Sequence, residues 1–160
     1  RMNIDITRYP LYTVENPATY NRWHDALSLL IQARQDLLNK YDAQQIEQQH
    51  HENWSKIGVI PEGIRPLYSP EDFRLEGAEM HHCIGGYFRN LNYKFAHLDF
   101  NGEQASVQFT DESVIQLHGY CNAEPSVEMK DFFNQFHRRL LHQSMIEYVH
   151  AGAEQPVYCM

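Results

Sequence analysis

What most constrains the fold of this 160-residue chain is a run of alternating side chains, cut by turn signals, between Tyr93 and Tyr120. Tyr93 to Phe100 alternates apolar and polar residues. Asn101-Gly102 follows, a dipeptide suited to the positive φ angles of a two-residue hairpin. Gln104 to Thr110 then puts Ala105, Val107 and Phe109 on one face, and Asp111-Glu112-Ser113 turns the chain into Val114 to Tyr120. A period of two with short polar turns predicts a three-stranded antiparallel meander.

Helical patterns flank the meander. Residues 2 to 16, with Ile4, Ile6, Tyr9, Leu11 and Val14 interrupted by Pro10, suit an extended arm. Asn16-Pro17 is a helix start, and Tyr20, Trp23, Leu27, Leu30, Leu37 and Tyr41 recur at helical spacing behind it. This predicts a long amphipathic helix whose stripe joins the core. From Asp42 to Asn53 the chain turns polar, so the helix is expected to run on into solvent or fray, with His50 and His51 hydrated. Gly58, Pro61, Gly63 and Pro66 make 57 to 68 a connecting loop. Ser69, with Asp72 three residues on, opens a short helix expected to end near Gly77. A further helix is expected from about Met80 to Asn90. Pro125-Ser126 opens a last long helix carrying Met129, Phe132, Phe133, Phe136, Leu140 and Tyr148, and a loose tail follows from Gly152. The fold class is α+β: helices against one face of a small antiparallel sheet, in one domain over 2–160. Within it, 2–68 forms a helical and loop part and 69–150 a core.

Charge and cysteine usage narrow the function classes. A formal net charge of -8 lacks the basic footprint of phosphate-backbone binders, and Arg138-Arg139 is the only basic doublet. Direct nucleic-acid binding is therefore not expected. Cys83, Cys121 and Cys159 are odd in number and show no disulfide-framework spacing. With no signal peptide and no apolar run of membrane-spanning length, a reducing, cytoplasmic setting away from the membrane is expected.

Two polar knots carry the chemistry. Met80-His81-His82-Cys83-Ile84-Gly85-Gly86-Tyr87 combines a thiol, two imidazoles and backbone freedom, and Gln116-Leu117-His118-Gly119-Tyr120-Cys121-Asn122 follows on the last strand. A cysteine at a helix start faces unsatisfied amides, which favour its thiolate, and an adjacent protonated His82 adds to this. His118 or His97 can serve as base, while Gln116 and Asn122 orient it or donate to an oxyanion. The plain alternative for Cys83 is a small buried hydrophobe. His82, Cys83, His118 and Cys121 have donor types that suit zinc, but side chains of adjacent helical residues diverge by about 100 degrees, so no metal is assigned. The glycines match no phosphate loop, and no cofactor is expected. Gly85 and Gly86 each weaken a helix by roughly 1 kcal/mol, which suggests that something packs closely on that turn. Gly119 suits a kink or bulge at its strand end, and Asn122 suits either a turn or the site.

At these knots the chain resembles the PcfJ-like family, associated with conjugative plasmids, phages and other bacterial mobile elements. The resemblance rests on Glu76-Gly77, Met80, His82-Cys83-Ile84-Gly85 and Tyr87, then Gln116, Gly119, Asn122 and Pro125, and covers about residues 70 to 140. It implies that His82, Cys83, Gln116 and Asn122 form one site, and it leaves out His81, His97, His118 and Cys121. It implies no particular reaction. Two functions are expected on these grounds. In the first, Cys83 attacks an acyl-like electrophile with His82 as base or polariser and Gln116 and Asn122 positioning the substrate. In the second, the same residues pin a helix to the sheet in a non-catalytic module that binds a protein partner.

Overall fold

The computed structural model describes residues 17–153, which fall in two compact units divided between Asp42 and Ala43. The expected N-terminal arm, the Asn16 cap, Cys159 and the tail beyond Ala153 lie outside the described residues. Helix α1 (Pro17–Ser55) begins in the first unit and ends in the second. In the first unit the apolar stripe is not core. Tyr20, Trp23, Leu27, Leu30, Leu37 and Tyr41 are all half or more exposed, Leu30 and Leu37 at 69% each. Helical period decides which side chains share a face, not whether anything covers it. The polar run behind it is the part that buries a face: Ile46, His50 and Trp54, each four residues after the last, are interior.

The second unit is built on a four-stranded antiparallel sheet in the order β1-β2-β3-β4, with β1 Ile64–Pro66, β2 Lys94–Phe100, β3 Glu103–Phe109 and β4 Val114–His118. The expected meander is β2 to β4. The hairpin between β2 and β3 turns on Asn101 (φ 52) and Gly102 (φ 78), the left-handed pair that the dipeptide suits. Strand β1 is an addition that breaker-rich composition hid. Its three residues pair with Ala96, His97 and Leu98, and Gly63 (φ +91) lets its carbonyl accept from the Asp99 amide at 2.8 Å. A Cβ on Gly63 would meet the Asp99 carbonyl oxygen at 2.6 Å, so glycine is required there.

Alternation gives the sheet two unlike faces, and both are covered, not the one face expected, because the second also carries an apolar cluster that α2 and a one-turn helix close over. On one, Ile64, Ala96, Leu98, Ala105, Val107 and Phe109 pack against Met129, Phe133, Phe136 and Leu140 of α3 (Val127–Ala153) and against Trp54. Helix α3 is capped by Ser126, whose Oγ accepts from the Met129 amide at 3.1 Å, and it runs through Gly152 rather than loosening there. The opposite face presents Phe95, His97, Ser106 and Gln108, all buried. It is covered by α2 (Pro70–Met80) and the one-turn helix η1 (Cys83–Gly86), with Leu67, Phe73, Ile84 and Phe95 forming a second small core. The capping box of α2 is as the sequence predicts: Ser69 Oγ accepts from the Asp72 amide at 3.0 Å, and Asp72 accepts from the Ser69 amide at 3.1 Å.

His50 is a corrected residue. Instead of being hydrated it is 1% exposed, lies between Phe73 and Phe88, and donates through Nε2 to the Phe88 carbonyl at 2.6 Å. Burial holds its pKa below the ordinary value, against the opposing pull of that carbonyl. His51, by contrast, is exposed and stacks on Tyr68 at 3.9 Å.

Helix α2 continues past Gly77 to Met80 because Gly77 is a contact rather than a terminator. A Cβ there would lie 2.9 Å from Gly85 of η1, whereas one on Gly86 meets nothing within 4 Å. The close packing expected at the glycine pair is therefore real, and it belongs to Gly85. Gly77→Ala should lower stability by about 1–3 kcal/mol through overpacking, and Gly86→Ala should stay within about 0.5 kcal/mol of wild type, both read by urea denaturation. Equal effects would show that the Gly77–Gly85 approach is not constraining.

Candidate functional site

The two knots meet. His82 and Cys83 at the start of η1, Gln116 and His118 of β4, and Asn122 just beyond it line one narrow cleft, with Tyr87, Ser106 and Gln108 completing its walls and Ile84 its apolar side. The free space between them is about 10 Å³, room for roughly one water. Cys83 and Asn122 are exposed at the rim, whereas Ser106 and Gln108 lie buried in the floor.

The local backbone explains this placement. His81 takes a left-handed conformation (φ 54, ψ 50) and ends α2, so His82 is extended and Cys83 opens a single 3-10 turn. The helix expected to reach Asn90 does not form, because its first turn is held against Gly77 instead. Four residues align too few peptide dipoles to act on Cys83 as a long helix start would. At the other knot, Gly119 has ordinary extended geometry (φ -81, ψ -169). The kink falls instead on Cys121 (φ 52) and Asn122 (φ 59) within the one-turn helix η2 (Tyr120–Asn122). Asn122 is thus both turn residue and cleft residue. The strand irregularity lies further back, between Gln108 and Phe109, where β4 carries an extra residue, Ile115.

Two hydrogen-bond chains organise the cleft. In the first, Glu76 of α2, 1% exposed, accepts through Oε1 from His97 Nδ1 at 2.8 Å and from the Ser106 hydroxyl. Because Ser106 spends its proton on Glu76, its Oγ accepts from His82 Nε2 at 2.9 Å. His82 therefore carries its proton on Nε2, which leaves Nδ1 as the basic nitrogen. Burial, the largest influence on Glu76, pushes its carboxyl up. The bonds from His97 and Ser106 and the charges of His97 and Arg65 outweigh burial and hold the pKa below the ordinary value. Arg65 stands 3.8 Å from Oε2. Burial also lowers the His82 pKa, against the attraction of Glu76, so the ring is neutral near pH 7. In the second chain, Gln116 donates to the Tyr87 hydroxyl, which meets Cys83 Sγ at 3.1 Å. The bond with Cys83 raises the Tyr87 phenol, which keeps it protonated as a donor toward sulfur.

The other sequence candidates fall as follows. His118 lines the cleft, and its Nδ1 is buried without a partner. His97 is held by Glu76 and faces a separate open groove with Glu62, Glu79 and Asp99. Exposed His81 lies against Tyr120 with the rings tilted, and Cys121 is exposed outside the cleft lining. The zinc set is not assembled: among the described residues no three His, Cys, Asp or Glu side chains form a metal-holding group. Among them, too, no helix is long and apolar enough to cross a membrane. Sequence reasoning missed Ser106 and Gln108 as site residues, and it passed over Glu76 except as part of a motif. The available signal was their position opposite Ala105 and Val107 in β3, which marks a second face.

A family model described as PcfJ-like protein matches residues 1–133. That match extends N-terminal of the stretch from 70 to 140 that carries the sequence resemblance and takes in α1. No curated protein and no solved structure matches the chain.

The buried groups set an acid response. His50 and His82 have folded pKa values below 6.5, so the unfolded chain binds more protons there, and their stability contribution is lost as pH falls through 6.5. Glu76 has a folded pKa below 4.5, so its contribution persists above that value and is lost on further acidification. Urea midpoints should therefore fall in two stages between pH 7.5 and 3, and Glu76→Gln should flatten only the lower one. An upper stage flattened by Glu76→Gln would contradict this assignment.

Proposed function

The chain belongs to the PcfJ-like family, and on that premise we propose that its cleft is a cysteine-dependent active site for an acyl-like electrophile. The observation that carries this reading is the convergence of His82, Cys83, Gln116 and Asn122 on one cleft, with the thiol exposed at its mouth. Cys83 attacks the electrophilic carbon. Tyr87, oriented by Gln116, donates to sulfur as negative charge gathers there. His82 takes the thiol proton on Nδ1 while Ser106 and Glu76 fix its opposite nitrogen and stabilise the imidazolium. The Gln116 and Asn122 amides donate to the developing oxyanion. The setting is the cytoplasm of a bacterium that carries a mobile element or phage, as the family association implies.

A second reading, a protein-interaction module of a conjugation or mobile-element complex, is favoured by a different observation. Leu30, Leu37 and their apolar neighbours on α1 are exposed, as partner-binding helices are in isolation. The cleft residues then serve to tie η1 to the sheet.

An activated ester separates the two. Incubation with p-nitrophenyl acetate should acetylate Cys83 in preference to Cys121, as read by peptide mass. Turnover should drop at least about a hundredfold in Cys83→Ala and about 10²–10⁴-fold in His82→Gln. Equal acetylation of the two cysteines sinks the enzyme reading. For the module, Leu30→Glu with Leu37→Glu should abolish co-sedimentation with the partner complex and leave the urea midpoint of the second unit unchanged.

A further inference from the structure

The floor of the cleft holds two polar atoms with nothing to bond. Gln108 is 7% exposed, lines the cleft, and its Oε1 has no hydrogen-bond partner, and His118 Nδ1 is likewise buried and unpartnered. Of the buried polar atoms without a partner among the described residues, these two line the cleft, and a water or a ligand group must complete them. Gln108 faces Gln116 across β3 and β4, and His118 sits diagonally from it, opposite Ser106, so both side chains reach the same space. Each is an acceptor: an amide oxygen, and a ring nitrogen when the His118 proton is on Nε2. Two acceptors over one small space suit two N–H bonds on one nitrogen. The enclosed space has room for about one water-sized group, so a nitrogen fills it while the rest of the ligand stays at the open mouth beside Cys83 and Asn122.

We propose that the substrate group is a primary carboxamide, of the kind a glutamine or asparagine side chain presents. This rests on the reading of Cys83 as nucleophile. The amide NH2 donates to Gln108 Oε1 and His118 Nδ1, and its carbonyl oxygen turns toward the Gln116 and Asn122 amides. This orientation leaves the carbonyl carbon facing Cys83. Sulfur bonds to that carbon as the thiol proton passes to His82. The C–N bond then breaks, and the nitrogen leaves as ammonia with the proton returned from His82. The resulting thioester is hydrolysed by water, which supplies OH to the acyl carbon and a proton to the thiolate. The sum is carboxamide plus water giving carboxylic acid plus ammonia, with no redox change and no further reactant. An ester offers no N–H to the floor, and a secondary amide offers only one, so both leave an acceptor unpaired.

The test uses two neutral alkylating probes on the full chain, iodoacetamide and 2-iodo-N,N-dimethylacetamide. Only the first can donate to the floor. Cys121, also exposed, is the reference thiol within the same molecule, and peptide mass reads each cysteine separately. The ratio of the iodoacetamide rate to the dimethyl rate should be about three- to tenfold higher at Cys83 than at Cys121, the worth of one or two hydrogen bonds. Gln108→Leu, which leaves only His118 as acceptor, should bring the Cys83 ratio down toward that of Cys121 while Cys83 remains reactive. Gln108→Met, closer in shape, serves if the leucine variant melts early. Equal ratios in the wild type, with Cys83 reacting readily, overturn the carboxamide proposal and leave the nucleophile reading intact. A Cys83 inert to both probes until the protein unfolds overturns both.

Discussion

The structure of the second unit depends on one buried carboxylate. Taking an ionised Glu76 out of water carries a penalty of several kcal/mol, offset only when hydrogen bonds and opposite charge surround it. His97 and Ser106 bond Oε1 from two adjacent strands, and Arg65 on a third brings its charge to 3.8 Å from Oε2, which accepts no hydrogen bond. These bonds fix the height and rotation of α2 over the sheet. They also decide where His82 rests, because the Ser106 oxygen that serves Glu76 is the one that receives the imidazole.

The second determinant is how closely two backbones approach. Gly77 and Gly85 bring α2 and η1 nearer than any side chain allows, and the His81 left-handed turn gives the chain the sharp reversal this needs. Cys83 is thereby lifted to the cleft mouth, one turn from the sheet, while Ile84 points into the small core with Phe73 and Phe95. Cleft residues and apolar anchor share one short segment, so the placement of the thiol is tied to core packing rather than to a mobile loop.

Covering both faces of a small antiparallel sheet is what makes its polar residues consequential. The face beneath α3 is filled by Ala, Val, Leu and Phe in the usual manner. The other face carries His97, Ser106 and Gln108, residues that ordinarily point to water. Once α2 lies over them they must find partners in the protein or in a ligand. His97 and Ser106 find Glu76, and the Gln108 oxygen finds none. Polar groups with partners and one without thus share a single face of the sheet.

Features with local causes were legible in the sequence. Asn101-Gly102, the Ser69–Asp72 box and the Pro125-Ser126 helix start depend on residues within a few positions of each other, and each took its expected form. The alternation of Ala105, Val107 and Phe109 identified the core face for the same reason. Strand β1 was not legible, because three residues between Gly63 and Pro66 carry no periodic signal and pair only when β2 is already in place. The family resemblance implied one site of His82, Cys83, Gln116 and Asn122, and all four line the cleft, but Ser106 and Gln108 were not named. Their side chains read as solvated until a distant helix covers them. The sequence by itself determined the long helices, the meander and the caps and turns with local causes, since these follow from propensity and period along the chain. Only the tertiary structure decided which stripe is buried, with Ile46, His50 and Trp54 interior and Leu30 and Leu37 exposed. Only it decided which polar atoms lack partners. Burial and hydrogen-bond satisfaction belong to pairs of surfaces, and no single stretch of sequence specifies both.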